Sequence, residues 1–380
     1  MPEHSIERVL ENFFPKSTRS DWKKIAMQET SGKDPLEMLS WRGRDQLLFL
    51  PYYDVQDVAG PAFSKGFRSP TSGNTLSGLH GWVSLLPVYA PDAERANSIA
   101  REHLSSGADG ILFDRQIFPH ADLNVLLQNI ELASSFLAFR LTSNDLFPDL
   151  LSNFVRKESD PASMRGALFW ESIPKKNNLD FFLSRCKNFK PLGLVIPVAS
   201  PAAEISHALL EGVKIIDGFG RRSDPRQVVS AIAFSFSADA SLLETVAKFK
   251  AMRGLWRRVA IAYGYHDYKL RDLHLHAESA LAGDGVYAPR ENMLKGTFSA
   301  MAAVLGGCDS LTIMTEQQPA MMMRWSKNVS SILRDESFFR SVPDPVSGSY
   351  TVDTMVDEIA RKAWSGFQEK WRTYDDEKTT

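Results

Sequence analysis

Cysteine is nearly missing from this sequence: Cys186 and Cys308 are all it has, and they form no C-x-x-C pair. A disulfide framework and a zinc ribbon are excluded, and the two read as free thiols of a reducing compartment. An excess of charge of one sign is missing too. The 44 Lys+Arg and 46 Asp+Glu residues leave a net charge of −2, which argues against a nucleic-acid surface or an acidic interaction tail. No run reaches the ~18 apolar residues a membrane-spanning helix needs. The opening MPEHSIERVLENFFPK has no basic stretch followed by an apolar one. No secretory signal is therefore expected, and the cytoplasm is the expected compartment. Phosphate-binding loops are missing as well: neither G-x-x-x-x-G-K-[ST] nor G-x-G-x-x-G occurs. Asp217-Gly218-Phe219-Gly220 is too sparse to serve as one. No repeat of solenoid or propeller period is found.

What is present is an ordinary globular composition, 43% hydrophobic and 24% charged over 380 residues, long enough to bury a large core. Residues 1–45 read as an N-terminal arm: Ile6, Val9, Leu10, Phe13 and Phe14 give a short helical face, followed by polar chain. Ala62–Gly78, rich in Gly, Ser and Pro, reads as loop. From Gly81 onward, short apolar runs alternate with amphipathic stretches. The runs are Trp82–Val88, Gly110–Phe113, Phe136–Leu141, Ala167–Trp170, Leu192–Pro197, Val213–Ile216, Ala231–Phe236, Leu273–His276 and Ser310–Met314. Such runs separated by helices read as buried parallel strands. Between them Asp92–Leu104 carries a helical face stopped at Gly107, and Ser241-x-x-Glu244 has capping-box spacing. Met293–Val304 is a further helix. Val213–Ile216 continues a helical pattern from Ile205, so it is set aside. Eight β-α units remain, and the expected fold is an α/β eight-stranded parallel (TIM-type) barrel over 46–368, with a polar tail at 369–380. A doubly wound open sheet is the alternative.

The chemistry-bearing segment is Asp272-Leu-His274-Leu-His276-Ala-Glu278. Histidines at i and i+2 on a strand share a face, and with Glu278 they could make a His/carboxylate metal set. The competing reading is a pair of histidines buried in a barrel. Barrel function lies at the C-terminal strand ends. Those ends carry Tyr89, Asp114, Arg115, Arg140, Trp170, Glu171, Ser200, His276, Glu278, Thr315 and Glu316. Tyr89, Asp114, Glu171, His274, His276 and Glu278 are the candidate pocket residues for acid–base work.

Longer blocks carry a resemblance. These are Lys327-Asn-Val, Leu333-Arg-Asp-Glu-Ser, Asp344-Pro-Val-Ser-Gly-Ser-Tyr350 and Ile359-Ala-Arg-Lys-Ala-Trp364. Upstream stand AFSFSA followed by VAKFKAMRGLW within Ala231–Trp256, and Ala300-Met-Ala-Ala-Val-Leu-Gly-Gly-Cys-Asp-Ser310. At the front are Trp22-Lys-Lys-Ile-Ala and Asp45–Asp54. Over nearly the whole chain this resembles the barrel domain of the methylmalonyl-CoA mutase family, the cobalamin-dependent acyl-CoA mutases.

The departures shape what the resemblance implies. The family's cobalamin domain carries D-x-H-x-x-G, of which Asp272-x-His274-x-x-Ala277 is an echo without the glycine, so no cobalamin domain is expected here. The family's corrin-facing Gly-Tyr-His corresponds to Ile196-Pro-Val-Ala-Ser200. Its Gln-Asn-Asp corresponds to Phe169-Trp170-Glu171. Its strand bearing the substrate-gripping Arg corresponds to His274-Leu-His276-Ala-Glu-Ser-Ala280, with His274 at the Arg position. An imidazole cannot give the bidentate clamp of a guanidinium. Tyr89 meets the family's catalytic tyrosine only across a gap. The pattern is similar to the family's small, β-type subunit. The implied role is non-catalytic: a heterodimer with a catalytic large subunit that holds adenosylcobalamin and interconverts methylmalonyl-CoA and succinyl-CoA, with the arm wrapping that partner. No cofactor is expected on this chain alone. One alternative is the acyl-CoA-binding half of a split mutase, with the cobalamin domain on another chain. Another is a metal-assisted barrel enzyme using His274, His276 and Glu278.

Overall fold

The computed structural model describes residues 17–58, 81–114, 122–142, 146–158, 160–173, 179–219, 223–239, 241–279, 289–314, 320–341 and 344–379. Eight parallel strands close on themselves: β3 (Val83–Val88), β4 (Gly110–Phe113), β5 (Phe136–Leu141), β6 (Arg165–Trp170), β7 (Phe189–Val195), β8 (Ile232–Ala238), β9 (His274–Ser279) and β10 (Ser310–Thr312). They pair in sequence order, and β10 pairs back with β3. The expected barrel is therefore the fold, and the open sheet is not. Val213–Ile216 lies inside the helix Pro201–Phe219, where Val213 and Ile216 face the core. Its apolar run belongs to a helix buried along most of its length, which is why the segment imitates a strand.

The strand limits move in both directions. β7 starts three residues before the apolar run and ends at Val195, because Phe189 and Lys190 already pair with β6. The helix Ala93–Ser105 is capped by the Asp92 side chain, and Gly107 takes φ +95°, so the glycine stop is real. The Ser241 box is not a capping box. The Ser241 hydroxyl donates to Glu244 Oε2 at 2.9 Å, and Glu244 Oε1 accepts the Arg44 backbone N–H at 2.9 Å. Glu244 is diverted to the N-terminal segment instead of its own helix end.

That segment runs from the helix Arg19–Glu29 through Pro35–Leu39 to an antiparallel hairpin, β1 (Trp41–Arg42) and β2 (Leu48–Phe49). Trp22 stacks on Tyr52 at 4.8 Å. The hairpin turn reaches the strand ends of its own barrel. Arg44 pairs with Asp239 at 2.5 Å, and Asp45 accepts the Ala202 N–H at 2.8 Å at the start of the helix Pro201–Phe219. Lys362, on the long helix Tyr350–Thr379, donates to the Asp45 carbonyl. The face from Ile6 to Phe14, the loop Ala62–Gly78 and the strand-end residues Arg115, Thr315 and Glu316 lie outside the described residues. No described helix is long and apolar enough to cross a membrane.

Candidate functional site

Side chains alternate along each strand, and one parity points down the barrel axis. Val83, Leu85, Leu112, Phe136, Ala138, Ala167, Phe169 and Ala233 form one packed cluster, separate from the larger core under the helices. On β9 the inward parity is His274, His276 and Glu278; on β10 it is Ser310 and Thr312. Phe136 stacks on His274 at 5.3 Å and Phe169 on His276 at 5.0 Å. His274 is 3% exposed and His276 0%. Where strands meet helices at close quarters, the interior of such a barrel is a packed core and not a channel, and here aromatic rings complete that packing.

Within this core the polar atoms form a file. His274 Nε2 and His276 Nδ1 each lie 2.9 Å from Ser310 Oγ. His276 Nε2 lies 3.6 Å from Glu278 Oε1. Glu278 pairs with Arg140 and accepts the Ser235 hydroxyl at 3.2 Å. Burial by itself would raise the Glu278 carboxyl, but the neighbouring His276 and the Arg140 guanidinium outweigh it and bring it to about 2. His274 is held well below the usual imidazole range, first by burial and then by Lys190. Tyr89 is pushed up to about 12, mainly by burial, with Asp114 adding to it.

Four of the six candidate residues therefore meet around Arg140. Glu278 pairs with it, His276 backs Glu278, and the charges of Tyr89 and Asp114 act on the same guanidinium. Tyr89 donates to Met314 Sδ at 3.7 Å. His274 is not at the mouth. Four residues before Glu278, it lies about 13 Å back along the strand at ~3.3 Å per residue. Glu171 stands exposed at the end of β6. Sequence reasoning missed Ser310, Ser235 and Thr312. The available signal was parity, since Ser310 pairs directly with His276 in the β9–β10 register.

Ser310, His276 and Glu278 have the residue types of a nucleophile, base and orienter, but Ser310 is wholly buried. A nucleophile must reach its substrate, and Ser310 is closed off from one. One nitrogen of each imidazole is turned to Ser310, and among the described residues no three His, Cys, Asp or Glu side chains group to hold an ion.

The Methylmalonyl-CoA mutase family model matches residues 198–370. The methylmalonyl-CoA mutase small subunit of Porphyromonas gingivalis is 24% identical over 93% of this chain and 63% of its own. That of Streptomyces virginiae is 30% identical over 97% and 65%, and that of Propionibacterium freudenreichii subsp. shermanii 21% over 94% and 62%. The chain belongs to the methylmalonyl-CoA mutase family. It spans less than two thirds of the length of these curated relatives. Against the mutase pattern, the residue at the substrate-arginine position is sealed beneath Phe136 and Ser310. The segment at the corrin-facing position, residues 196–200, presents Val198, 72% exposed, and no imidazole.

Proposed function

We propose that this chain is the barrel of a methylmalonyl-CoA mutase small subunit. It carries no mutase chemistry of its own. It supports a catalytic, cobalamin-dependent large subunit that interconverts methylmalonyl-CoA and succinyl-CoA. The reading rests above all on the closed interior. Phe136, Phe169, His274 and His276 occupy the axis, leaving Arg140 neutralised by Glu278 at the mouth. A free guanidinium for a substrate carboxylate is what a working site would keep. The names of the relatives support the partnership. So does the N-terminal segment, where Ile25, Met38, Leu39, Trp41 and Leu48 expose apolar surface of the kind that marks a protein contact. Adenosylcobalamin then belongs to the large subunit, and the two buried thiols suit the cytoplasm.

The test is reconstitution. The purified chain should bind neither adenosylcobalamin nor acyl-CoA in equilibrium dialysis. Mixed with a catalytic large subunit, it should co-elute as a heterodimer and raise that subunit's thermal stability. Turnover by this chain with a separate cobalamin-binding chain would replace this reading with the split mutase.

A further inference from the structure

With both imidazoles neutral, donor and acceptor arithmetic along the barrel axis leaves one consistent proton arrangement. Ser310 has a single hydroxyl proton, yet its Oγ meets two imidazole nitrogens, both at 2.9 Å. It donates to one, and the other must bring its own proton. His276 Nε2 faces Glu278 Oε1 at 3.6 Å and makes no closer hydrogen bond. A lone pair aimed at a carboxylate is repelled, so that nitrogen carries the His276 proton. His276 Nδ1 then accepts from Ser310, and His274 Nε2–H donates to Ser310. All three protons point the same way, from the floor of the barrel toward its mouth.

We propose that this file is a proton relay: a proton taken up at His274 Nδ1 is delivered as an imidazolium at His276, against Glu278. The balance closes with one proton taken up from solvent. The incoming proton bonds His274 Nδ1, the Nε2 proton crosses to Ser310 Oγ, and the former hydroxyl proton crosses to His276 Nδ1. His274 ends neutral in its other tautomer, Ser310 ends as a hydroxyl donating to His274, and the positive charge rests on His276.

The surrounding charges set that direction. Lys190 of β7 and Arg253 of the helix Leu242–Ala262 both act on His274 and disfavour a cation there. Asp309, ahead of β10, is engaged by Arg253 at 2.5 Å. At the other end Glu278 lies next to His276, shared with Arg140 of β5 and with Ser235 of β8. Tyr89 and Asp114 stand beyond Arg140.

The experiment is nitrogen NMR of the full chain labelled at histidine, from about pH 8 to about pH 5, the range in which an ordinary imidazole titrates. The two rings are assigned through their stacking partners Phe136 and Phe169. At the alkaline end both should carry their proton on Nε2. On acidification His276 should gain a second proton, and in the same step the His274 proton should move from Nε2 to Nδ1. The proposal is overturned if His274 keeps its Nε2 proton while His276 becomes doubly protonated, or if both rings stay neutral down to acid unfolding. Ser310→Ala should uncouple the rings, and a surviving coupled step would sink the route through Ser310. Should that variant not fold, Glu278→Gln serves. It should move the coupled step to lower pH, and an unmoved midpoint would remove Glu278 from the seat.

Discussion

The two ends of the barrel each hold an arginine–carboxylate pair, buried at the floor and half-buried at the mouth, and they are built differently. At the floor, Arg253 bonds Asp309 at 2.5 Å and spreads its other donors over the carbonyls of Gly307, Leu270 and Leu273. Those carbonyls lie just ahead of β9 and β10, so one side chain ties two strand entrances together. At the mouth, Arg140 pairs with Glu278, but its Nε is buried without a hydrogen bond among the described residues. The same pair of residue types acts as a rivet at one end and stays under-bonded at the other. An arginine that satisfies every donor costs more to remove than one that leaves a donor unpaired.

The strongest way to break this comparison is to remove both arginines in turn. Arg253→Met strands Asp309 in the interior together with three carbonyls, and should cost about 3–5 kcal/mol. Arg140→Met leaves Glu278 with Ser235 and with some access to solvent, and should cost about 1–3 kcal/mol. Urea unfolding at neutral pH measures both. Equal losses would mean the ends are not different in kind.

Acidification sharpens the contrast. The Glu278 carboxyl is depressed to about 2 in the fold, against ~4.3 in an unfolded chain. Its contribution is therefore complete above the unfolded value and is lost as pH falls from about 4.3 toward 2, on the order of 3 kcal/mol. His274 acts in a separate, higher window. It is neutral in the fold, so stability declines as pH drops below the unfolded imidazole value of ~6.5. Glu278→Gln should flatten the lower window. Stability curves that stay parallel below pH ~4 would show that Glu278 is not held as the geometry implies.

The barrel was legible because its strands are buried on both faces and so read as unbroken apolar runs. Val213–Ile216 shows the limit. A helix packed between the barrel and Trp364, Phe367 and Trp371 is as apolar as a strand, and only its continuation from Ile205 tells them apart. His274, His276 and Glu278 were legible as one face but not as a depth, because the i, i+2 rule says nothing of distance from the mouth. The floor rivet was missed, although a pattern announces it. Gly107-Ala-Asp109 and Gly307-Cys-Asp309 each end a helix with a positive-φ glycine and set an Asp before a strand. Each Asp accepts a neighbouring strand's N–H, from Ser84 and Leu275, and each meets an arginine, Arg334 and Arg253. Two short echoes 200 positions apart are invisible to a search for repeats of fixed period.

The β1–β2 hairpin carries the comparison to the surface, where the expected effect on stability is smallest. Its inner side belongs to the barrel: Phe49 is buried and Arg44 and Asp45 are bonded to the strand-end loops. Its outer side is open, with Trp41 tilted on Phe49 at 4.8 Å and Leu48 52% exposed. Leu48→Ser removes no buried contact, so it should change unfolding free energy by no more than about 0.5 kcal/mol. If the large subunit covers this face, the same change forfeits the burial of one leucine, about 1.5–3 kcal/mol, or roughly ten- to hundredfold in affinity at ~1.4 kcal/mol per decade. Titration of the variant against a catalytic large subunit separates the two quantities. Weaker assembly at unchanged stability would place the partner on the hairpin. Unchanged assembly would move the interface elsewhere on the barrel and leave the hairpin as a clasp on its own chain.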